Sequence, residues 1–360
     1  MNIVYNKITS NKITSFDSLR FLLCLVIIFH HIGINIYNFS NKYFRIADLA
    51  VEGFFLLSGF LLAKSIEKTL LLKSQENIAI KEFFIKRVKR LYPEYIIAMF
   101  LCFVLVNLFA YHISAKTFLL NCFLLAGWGG IPNIIDGIWY VVILFWGGMF
   151  IYIITIFYKD KATVLFLPIL SVICLFYLIN HGSNIGGHQY PIEFSLISKG
   201  TIRGFLGLSI GLFCYHICNN LQNLTIKFNE KYISIILMIL EFISIIQVIR
   251  YLSFEKNHSI ADFNFYFYMS YIICLLYFRK EKLLKFLSFN IWKNFSYLSY
   301  SIYLTHLIVI SILKKQFLIF TQLPECYTYV IIAFICLFFA FFSYLLQKFL
   351  FSILKAKLLK

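Results

Sequence analysis

The chain has 360 residues, of which 61% are hydrophobic, 19% aromatic and only 14% charged, and its mean hydropathy is +0.82. A soluble domain has roughly 45–50% apolar and about 25% charged residues, so these few polar side chains cannot cover a globule in water. The composition predicts a polytopic membrane protein whose solvent is lipid. It excludes a nucleic-acid-binding globule, despite the formal net charge of +17, and also a disordered chain or a secreted disulfide scaffold.

Ten stretches of the chain are long and apolar enough to cross a bilayer core, which takes roughly 20 helical residues. They lie near residues 19–39, 46–66, 92–112, 138–158, 162–180, 199–218, 232–251, 262–278, 294–313 and 326–347. Strands of a β-barrel would be shorter and would alternate in polarity, which these stretches do not. We therefore predict an all-α fold with about ten transmembrane helices, forming a single membrane domain over residues 1–360 with no separate soluble domain.

Lysine and arginine residues indicate the orientation, because they are enriched in cytoplasmic loops. Ten spans with the N-terminus inside place 24 of the 33 Lys and Arg residues on the cytoplasmic side. An eleventh crossing at residues 118–128 would leave 17 inside against 16 outside, and the bias would vanish. We therefore predict that both termini are cytosolic, that residues 64–91 form a basic cytosolic loop, and that residues 113–137 form a re-entrant or interfacial loop.

Ionisable side chains within the predicted spans are costly in lipid, so each is a functional candidate. A helical rise of about 1.5 Å per residue places His31 and His306 roughly 18 Å from the cytosolic edge, and Glu52 roughly 21 Å from it. Arg20 precedes His31 by eleven residues, about three turns, so the two share one face of the first span. The pattern predicts a cation at the cytosolic mouth and an imidazole deeper in the membrane. His30 points away from that face, which favours a structural role.

Structural explanations compete with these functional ones. Arg20 could be a positive-inside anchor, and an intramembrane histidine often hydrogen-bonds a neighbouring helix. Glu241 could pair with a serine or tyrosine on another span. The nine cysteines are scattered and lack zinc spacing, so we predict no metal site.

Five short motifs follow one another along the chain. They are Phe16-Asp17-Ser18-Leu19-Arg20 with His31, Val51-Glu52-Gly53-Phe54-Phe55-Leu56-Leu57-Ser58-Gly59-Phe60, Phe84-Ile85-Lys86-Arg87-Val88-Lys89-Arg90-Leu91-Tyr92-Pro93, Arg203-Gly204-Phe205-Leu206-Gly207, and Leu298-Ser299-Tyr300-Ser301-Ile302-Tyr303-Leu304-Thr305-His306. Each string alone is a weak signal. In this order and at this spacing they make the chain resemble the membrane-bound acyltransferase 3 family, which O-acylates surface carbohydrates.

The chain departs from the family pattern in the fourth predicted span. Many members carry Trp-Ser-Leu followed by a glutamate there, whereas this chain has Trp139-Tyr140 and no glutamate. Trp139 still marks the position. The missing acid leaves the subgroup, and therefore the acceptor, open.

The resemblance implies an acetyl-CoA-dependent O-acyltransferase in the plasma (bacterial inner) membrane, with multiple spans. Cytosolic acyl-CoA would be the co-substrate, and the acyl group, most often acetyl, would pass to a hydroxyl of a cell-surface or lipid-linked carbohydrate. No bound cofactor and no nucleic-acid partner are expected. The sugar, the acyl chain length, direct transfer as against an acyl-enzyme, and the oligomeric state stay open.

The same resemblance suggests roles for individual residues. His31 would be the general base, and Glu52 would orient it or stabilise its charged form. The guanidinium groups of Arg20, Arg87 and Arg90 would bind the donor. The acceptor or the developing oxyanion would be bound by Arg203, His306, Ser58, Tyr303 and Trp139.

A membrane carrier is the competing interpretation. A proton-coupled carrier of a lipid-linked glycan or a small solute would use His31 and Glu52 as a proton relay. Charged groups at one depth fit that class of protein. The sequence has no visible inverted repeat, a feature typical of many such carriers, so acyl transfer is preferred.

Overall fold

The computed structural model describes most of the chain, and all the candidate site residues lie within the described part. The described residues are 14–38, 42–72, 75–128, 130–182, 185–187, 197–222, 230–289, 291–292, 295, 297–316 and 323–358. Within these ranges the protein is all-helical and has no strand. The first residues of the chain and the start of the predicted ninth span fall outside the described residues.

Eleven α-helices follow one another along the described part of the chain. They are α1 (Thr14–Asn35), α2 (Ala50–Leu71), α3 (Glu76–Phe109), α4 (Ala115–Cys122), α5 (Ile138–Lys161), α6 (Leu167–Gly182), α7 (Lys199–Gln222), α8 (Glu230–Ile249), α9 (Asn264–Phe278), α10 (Ser299–Gln316) and α11 (Glu325–Leu358). There are also three short 3₁₀ segments: Ala47–Leu49 before α2, Ile260–Phe263 before α9, and Leu283–Ser288 after α9.

Eight helical stretches in the described part of the chain are long and apolar enough to cross a membrane. Six of the predicted spans fall within five of these stretches, because a single stretch of 44 residues, Ile138–His181, contains both the fourth and the fifth. The first three predicted spans overlap the other three stretches. Lys159 interrupts this stretch with φ 47° and ψ −121°, which no helix accommodates. Helix α10 carries many polar residues and is not among the eight. The prediction of an all-helical multi-pass membrane protein is confirmed, whereas the count of ten and the cytosolic termini stay predictions.

Helices α2 and α7 form the centre of the bundle. Of the most apolar 18 residues in the stretch Ala47–Leu71, which contains α2, 78% are buried. The corresponding share is 11% in the stretch Tyr232–Phe254 at the periphery. The two helices touch backbone to backbone, since a Cβ atom at Gly59 would overlap the carbonyl group of Leu208, and one at Gly211 would overlap that of Leu56. Glycines at such crossings let membrane helices approach closely. This contact brings the polar residues of α2 and α7 together.

The basic segment at residues 64–91 is mostly helical instead of the predicted loop. It comprises the end of α2 and the first half of α3, joined near residues 72–75. Strong helix formers and an ion pair between Glu82 and Lys86, 2.9 Å apart at i and i+4, favour the helix. The described cations of this segment therefore stand on two successive helices.

Residues 113–128 and 130–137 contain one short helix, α4, and otherwise irregular backbone. The buried amide of Asn121 holds this segment together, because it donates to the carbonyl of Pro132 over 3.0 Å and accepts from the amide of Ile134 over 3.0 Å. At eight residues, α4 is too short to cross a bilayer. Among the described residues of this segment no helix is long enough for the eleventh crossing that the charge bias disfavoured.

Candidate functional site

Two polar cavities lie towards opposite ends of the bundle, and α1 contributes to both. One, of about 480 Å³, is lined by His31 and is called the His31 cavity here. The other, of about 500 Å³, is lined by Arg20 and is called the Arg20 cavity. The eleven-residue spacing along α1 therefore places the two predicted residues in separate cavities, each facing polar side chains of other helices.

Tyr303 of α10 lines both cavities and forms part of the wall between them. Its hydroxyl donates to the carbonyl of Gly137 over 2.9 Å, which fixes the position of the ring. The rings of Tyr140 and Phe54 pack beside it, with centroids 4.9 Å and 5.9 Å away. The two cavities are thus separated by a thin layer of aromatic side chains.

Three histidines lie beside one another, and two of them, His30 and His31, line the His31 cavity. The ring centroid of His31 is 5.2 Å from that of His306 and 5.2 Å from that of His30. The common depth predicted for His31 and His306 is therefore consistent with the structure. His30 donates through Nδ1 to the carbonyl of Phe44, 2.9 Å away, in keeping with a structural role.

His306 is held in one tautomer. Its Nδ1 lies 3.0 Å from the carbonyl oxygen of Ile302, and because a carbonyl can only accept, Nδ1 carries the hydrogen. The buried Nε2 then presents a lone pair, and it has no hydrogen-bond partner among the described residues. This imidazole therefore offers a hydrogen-bond acceptor beside His31.

Glu52 does not contact His31, contrary to the expected orienting role. Its carboxylate, fully buried, accepts from Nε of Arg203 over 2.6 Å and from the hydroxyl of Tyr266. Depth along a helix follows from residue spacing, but the direction towards a neighbouring helix does not. The close α2–α7 contact turns Glu52 towards Arg203 instead.

Arg203 is held by several partners at once. Besides Glu52, it donates through Nη1 to the carbonyl of Gly187 over 2.8 Å, and Asp48 lies 3.6 Å away. Its guanidinium lies over the ring of Trp139, 5.3 Å from the centroid. The buried Nη2 has no hydrogen-bond partner among the described residues. Arg203 lines the His31 cavity, and within the described part of the chain this group still lacks an acceptor.

A histidine held between two aspartates was missed by the sequence reasoning. Nε2 of His258 lies 3.0 Å from Asp48, and Nδ1 lies 2.7 Å from Asp262. Burial disfavours the charged form of His258, but the two carboxylates outweigh it and raise its pKa to about 9. The imidazolium therefore ties the start of α2 to the segment before α9. The capping pattern Ser259-x-x-Asp262 was the available signal.

The Arg20 cavity is lined by the basic face of α3. Arg87 and Arg90 line it together with Lys86, and Arg87 also donates to the carbonyl of Leu144. Arg20 pairs with Asp17 at 3.3 Å. The three predicted donor-binding arginines are therefore brought into one cavity. Ser58 lines this cavity as well, and so faces the predicted donor side and not the His31 cavity.

Other polar residues have structural partners. The buried Glu241, whose partner was left open, accepts from the backbone amides of residues 282–284 at 2.9–3.1 Å and so fixes the connection after α9. Among the described residues no group of three or more His, Cys, Asp or Glu side chains could hold a metal ion.

The apolar helical bundle and the two cavities define a multi-pass integral membrane protein with a polar site enclosed by its helices. Residues 13–346 match the family model described as an acyltransferase domain, and the chain therefore belongs to the acyltransferase 3 family. The resemblance drawn from the five motifs is confirmed. No curated protein and no solved structure matches the chain.

Proposed function

We propose that the protein transfers an acyl group, most often acetyl, from cytosolic acyl-CoA to a hydroxyl of a cell-surface or lipid-linked carbohydrate. The observation that carries the proposal is the pair of cavities divided at Tyr303. One cavity offers cations to an anionic donor, and the other offers an imidazole to an alcohol. Only the acyl group has to pass between them.

The Arg20 cavity suits the donor because guanidinium groups bind phosphate oxygens through paired N–H groups. Arg87 and Arg90 stand one helical turn apart on α3, and Arg20 faces them from α1. The positive-inside pattern predicts that this end of the bundle faces the cytosol, where acyl-CoA is found. The thioester end would then reach towards Tyr303.

The His31 cavity suits a carbohydrate because it presents both donors and acceptors of hydrogen bonds. Asn35, Asp136 and Asn257 line it beside Arg203. Carboxylate and amide oxygens accept from sugar hydroxyls, and guanidinium N–H groups donate to sugar oxygens. Nη2 of Arg203 is the group best suited to the acceptor or to the oxyanion.

The proposed step is a direct transfer. The hydroxyl oxygen attacks the thioester carbonyl carbon, and His31 takes the hydroxyl proton as the new C–O bond forms. The C–S bond breaks, and the thiolate leaves on the side of the Arg20 cavity, where the cations stabilise it. Arg203 donates to the carbonyl oxygen as its negative charge develops. Glu52 acts through Arg203, which it keeps charged and in place.

The test is mass spectrometry of surface glycans from cells with and without the gene. Loss of about one acetyl unit per modified sugar, restored by the wild-type gene, is the expected result. His31→Ala should fail to restore it, by at least about a hundredfold, because general-base catalysis contributes on the order of 10²–10⁴. His181→Ala, which removes an exposed histidine at the end of α6, is the matched control and should restore it. Full restoration by His31→Ala would remove His31 from the mechanism.

The carrier interpretation makes a different prediction for the purified protein. In sealed vesicles a carrier would move a glycolipid or solute without an acyl donor, whereas the proposed enzyme would do nothing until acyl-CoA is added. Donor-independent movement would favour the carrier.

A further inference from the structure

A carboxyl group in the Arg20 cavity has no role in the mechanism above. Glu94 follows Pro93 on α3, is 8% exposed, and lines this cavity. Its Oε1 has no hydrogen-bond partner among the described residues. A buried acceptor without a partner is costly, which makes the group a candidate for binding a ligand.

The position of Glu94 along α3 relates it to the cations. Arg87, Arg90 and Glu94 are spaced at i, i+3 and i+7, so all three lie on the face that lines the cavity. Glu94 stands about 6 Å beyond Arg90 and about 10 Å beyond Arg87 along the helix axis. Tyr300, one turn from the dividing Tyr303, reaches the same level and donates to the carbonyl of Leu91 over 3.1 Å. Glu94 therefore lies between the cations and the wall.

The chemistry of an acyl-CoA matches this order of groups. Its phosphates are followed by a pantetheine arm with two secondary amides, and then by the thioester. Ordinary bond lengths place the amide N–H groups roughly 7–12 Å from the pyrophosphate. With the phosphates at Arg87 and Arg90, an amide N–H reaches the level of Glu94. For an uncharged N–H donor of this kind, a carboxylate is the strongest hydrogen-bond acceptor that the cavity offers.

We propose that Glu94 binds the pantetheine arm of the donor by accepting a hydrogen bond from one of its amide N–H groups. The inference rests on the proposed function, since it assigns the Arg20 cavity to acyl-CoA. The arginines hold the phosphates, and Glu94 sets how far the arm extends towards Tyr303. A thioester without these amides is expected to be a poor donor.

The test is a binding titration of the purified full-length protein with two probes. Coenzyme A carries the phosphates and the arm, whereas adenosine 3′,5′-bisphosphate carries phosphates and no arm. Glu94→Ala should weaken binding of coenzyme A about tenfold and leave the bisphosphate unchanged or slightly tighter. Glu94→Gln keeps an acceptor oxygen and should lose less. Glu82→Ala, which removes an exposed carboxylate from the same helix, is the control for charge and should weaken neither probe.

The outcomes separate the inference from the proposed function. Unchanged or tighter coenzyme A binding in Glu94→Ala would overturn the role of Glu94 alone, because a carboxylate that only repels anions gives that result. Equal weakening of both probes would also overturn it, since that indicates damage to the whole cavity. Failure of the wild-type protein to bind coenzyme A would overturn the donor assignment and the inference with it.

Discussion

At the scale of single residues, the buried pair of Glu52 and Arg203 decides how the site is held. Both side chains are at most 1% exposed, so each charge depends on the other. Removing one member of a buried pair leaves an uncompensated charge and costs about 3–5 kcal/mol. Glu52 is therefore a positioning residue for Arg203 in the proposed reaction.

Glu52→Gln should lower both the melting temperature in detergent and the transfer activity. The double variant Glu52→Gln with Arg203→Gln should regain part of the melting temperature, because the buried guanidinium charge that lost Glu52 is removed as well and Asp48 keeps His258 as its partner, but it should not regain activity. Thermal unfolding and acyl transfer are measured on the same preparations. A single variant that melts like the wild type yet is inactive would instead place Glu52 in direct contact with the reacting groups.

Residue spacing along one helix predicted the depth of the polar side chains well, and their partners poorly. Arg20 and His31 each line a cavity, and the rings of His31 and His306 come within 5.2 Å of each other. Helical rise dictates these depths. The partner of Glu52 depends on how α2 and α7 are rotated, which tertiary packing determines. His258 lies in a connection without periodicity, where the adjacent capping pattern Ser259-x-x-Asp262 was the only signal and did not indicate a role for the histidine.

At the scale of helices, the segment before α9 is joined to the start of α2 through the imidazolium of His258. Its pKa is raised from 6.5 to about 9. A group with a raised pKa in the folded state contributes stability fully below its unfolded pKa, and this contribution is lost as the pH rises through the folded value. The connection should therefore weaken between about pH 6.5 and pH 9.

His258→Gln tests this connection. At pH 6.5 the wild-type protein should melt at a higher temperature than the variant, and the difference should shrink as the pH is raised past 9. The melting temperatures of both proteins are compared across this range. A difference that is constant with pH would show that the charge of the imidazole is not what joins the two segments.

Motifs and hydropathy predicted the family and the helical class, but not every boundary. The basic segment at residues 64–91 was expected to be a loop because it is charged, whereas its residues are good helix formers and continue α2 and α3. Polarity indicates where a chain leaves the apolar core. It does not indicate where a helix ends.

At the scale of the whole molecule, the dividing layer at Tyr303 separates the proposed enzyme from the competing carrier. Tyr303→Ala should join the two cavities, because it removes the ring that lines both. The variant in sealed vesicles is expected to let protons cross faster than the wild type, as followed with a pH-sensitive dye inside. Tyr303→Phe keeps the ring, loses only the bond to Gly137, and should remain tight. An equally tight alanine variant would mean that other groups close the path.

The thinness of that aromatic layer has an energetic consequence for the cell. A route wide enough for a whole nucleotide or a whole sugar would also admit hydrated ions and short-circuit the electrochemical gradient. A fragment of a few atoms can be relayed past one phenol ring while both of its bulky carriers stay in their own compartments. The proposed reaction would then acylate carbohydrate on the outer side with acyl groups from the cytosol and leave the membrane potential intact.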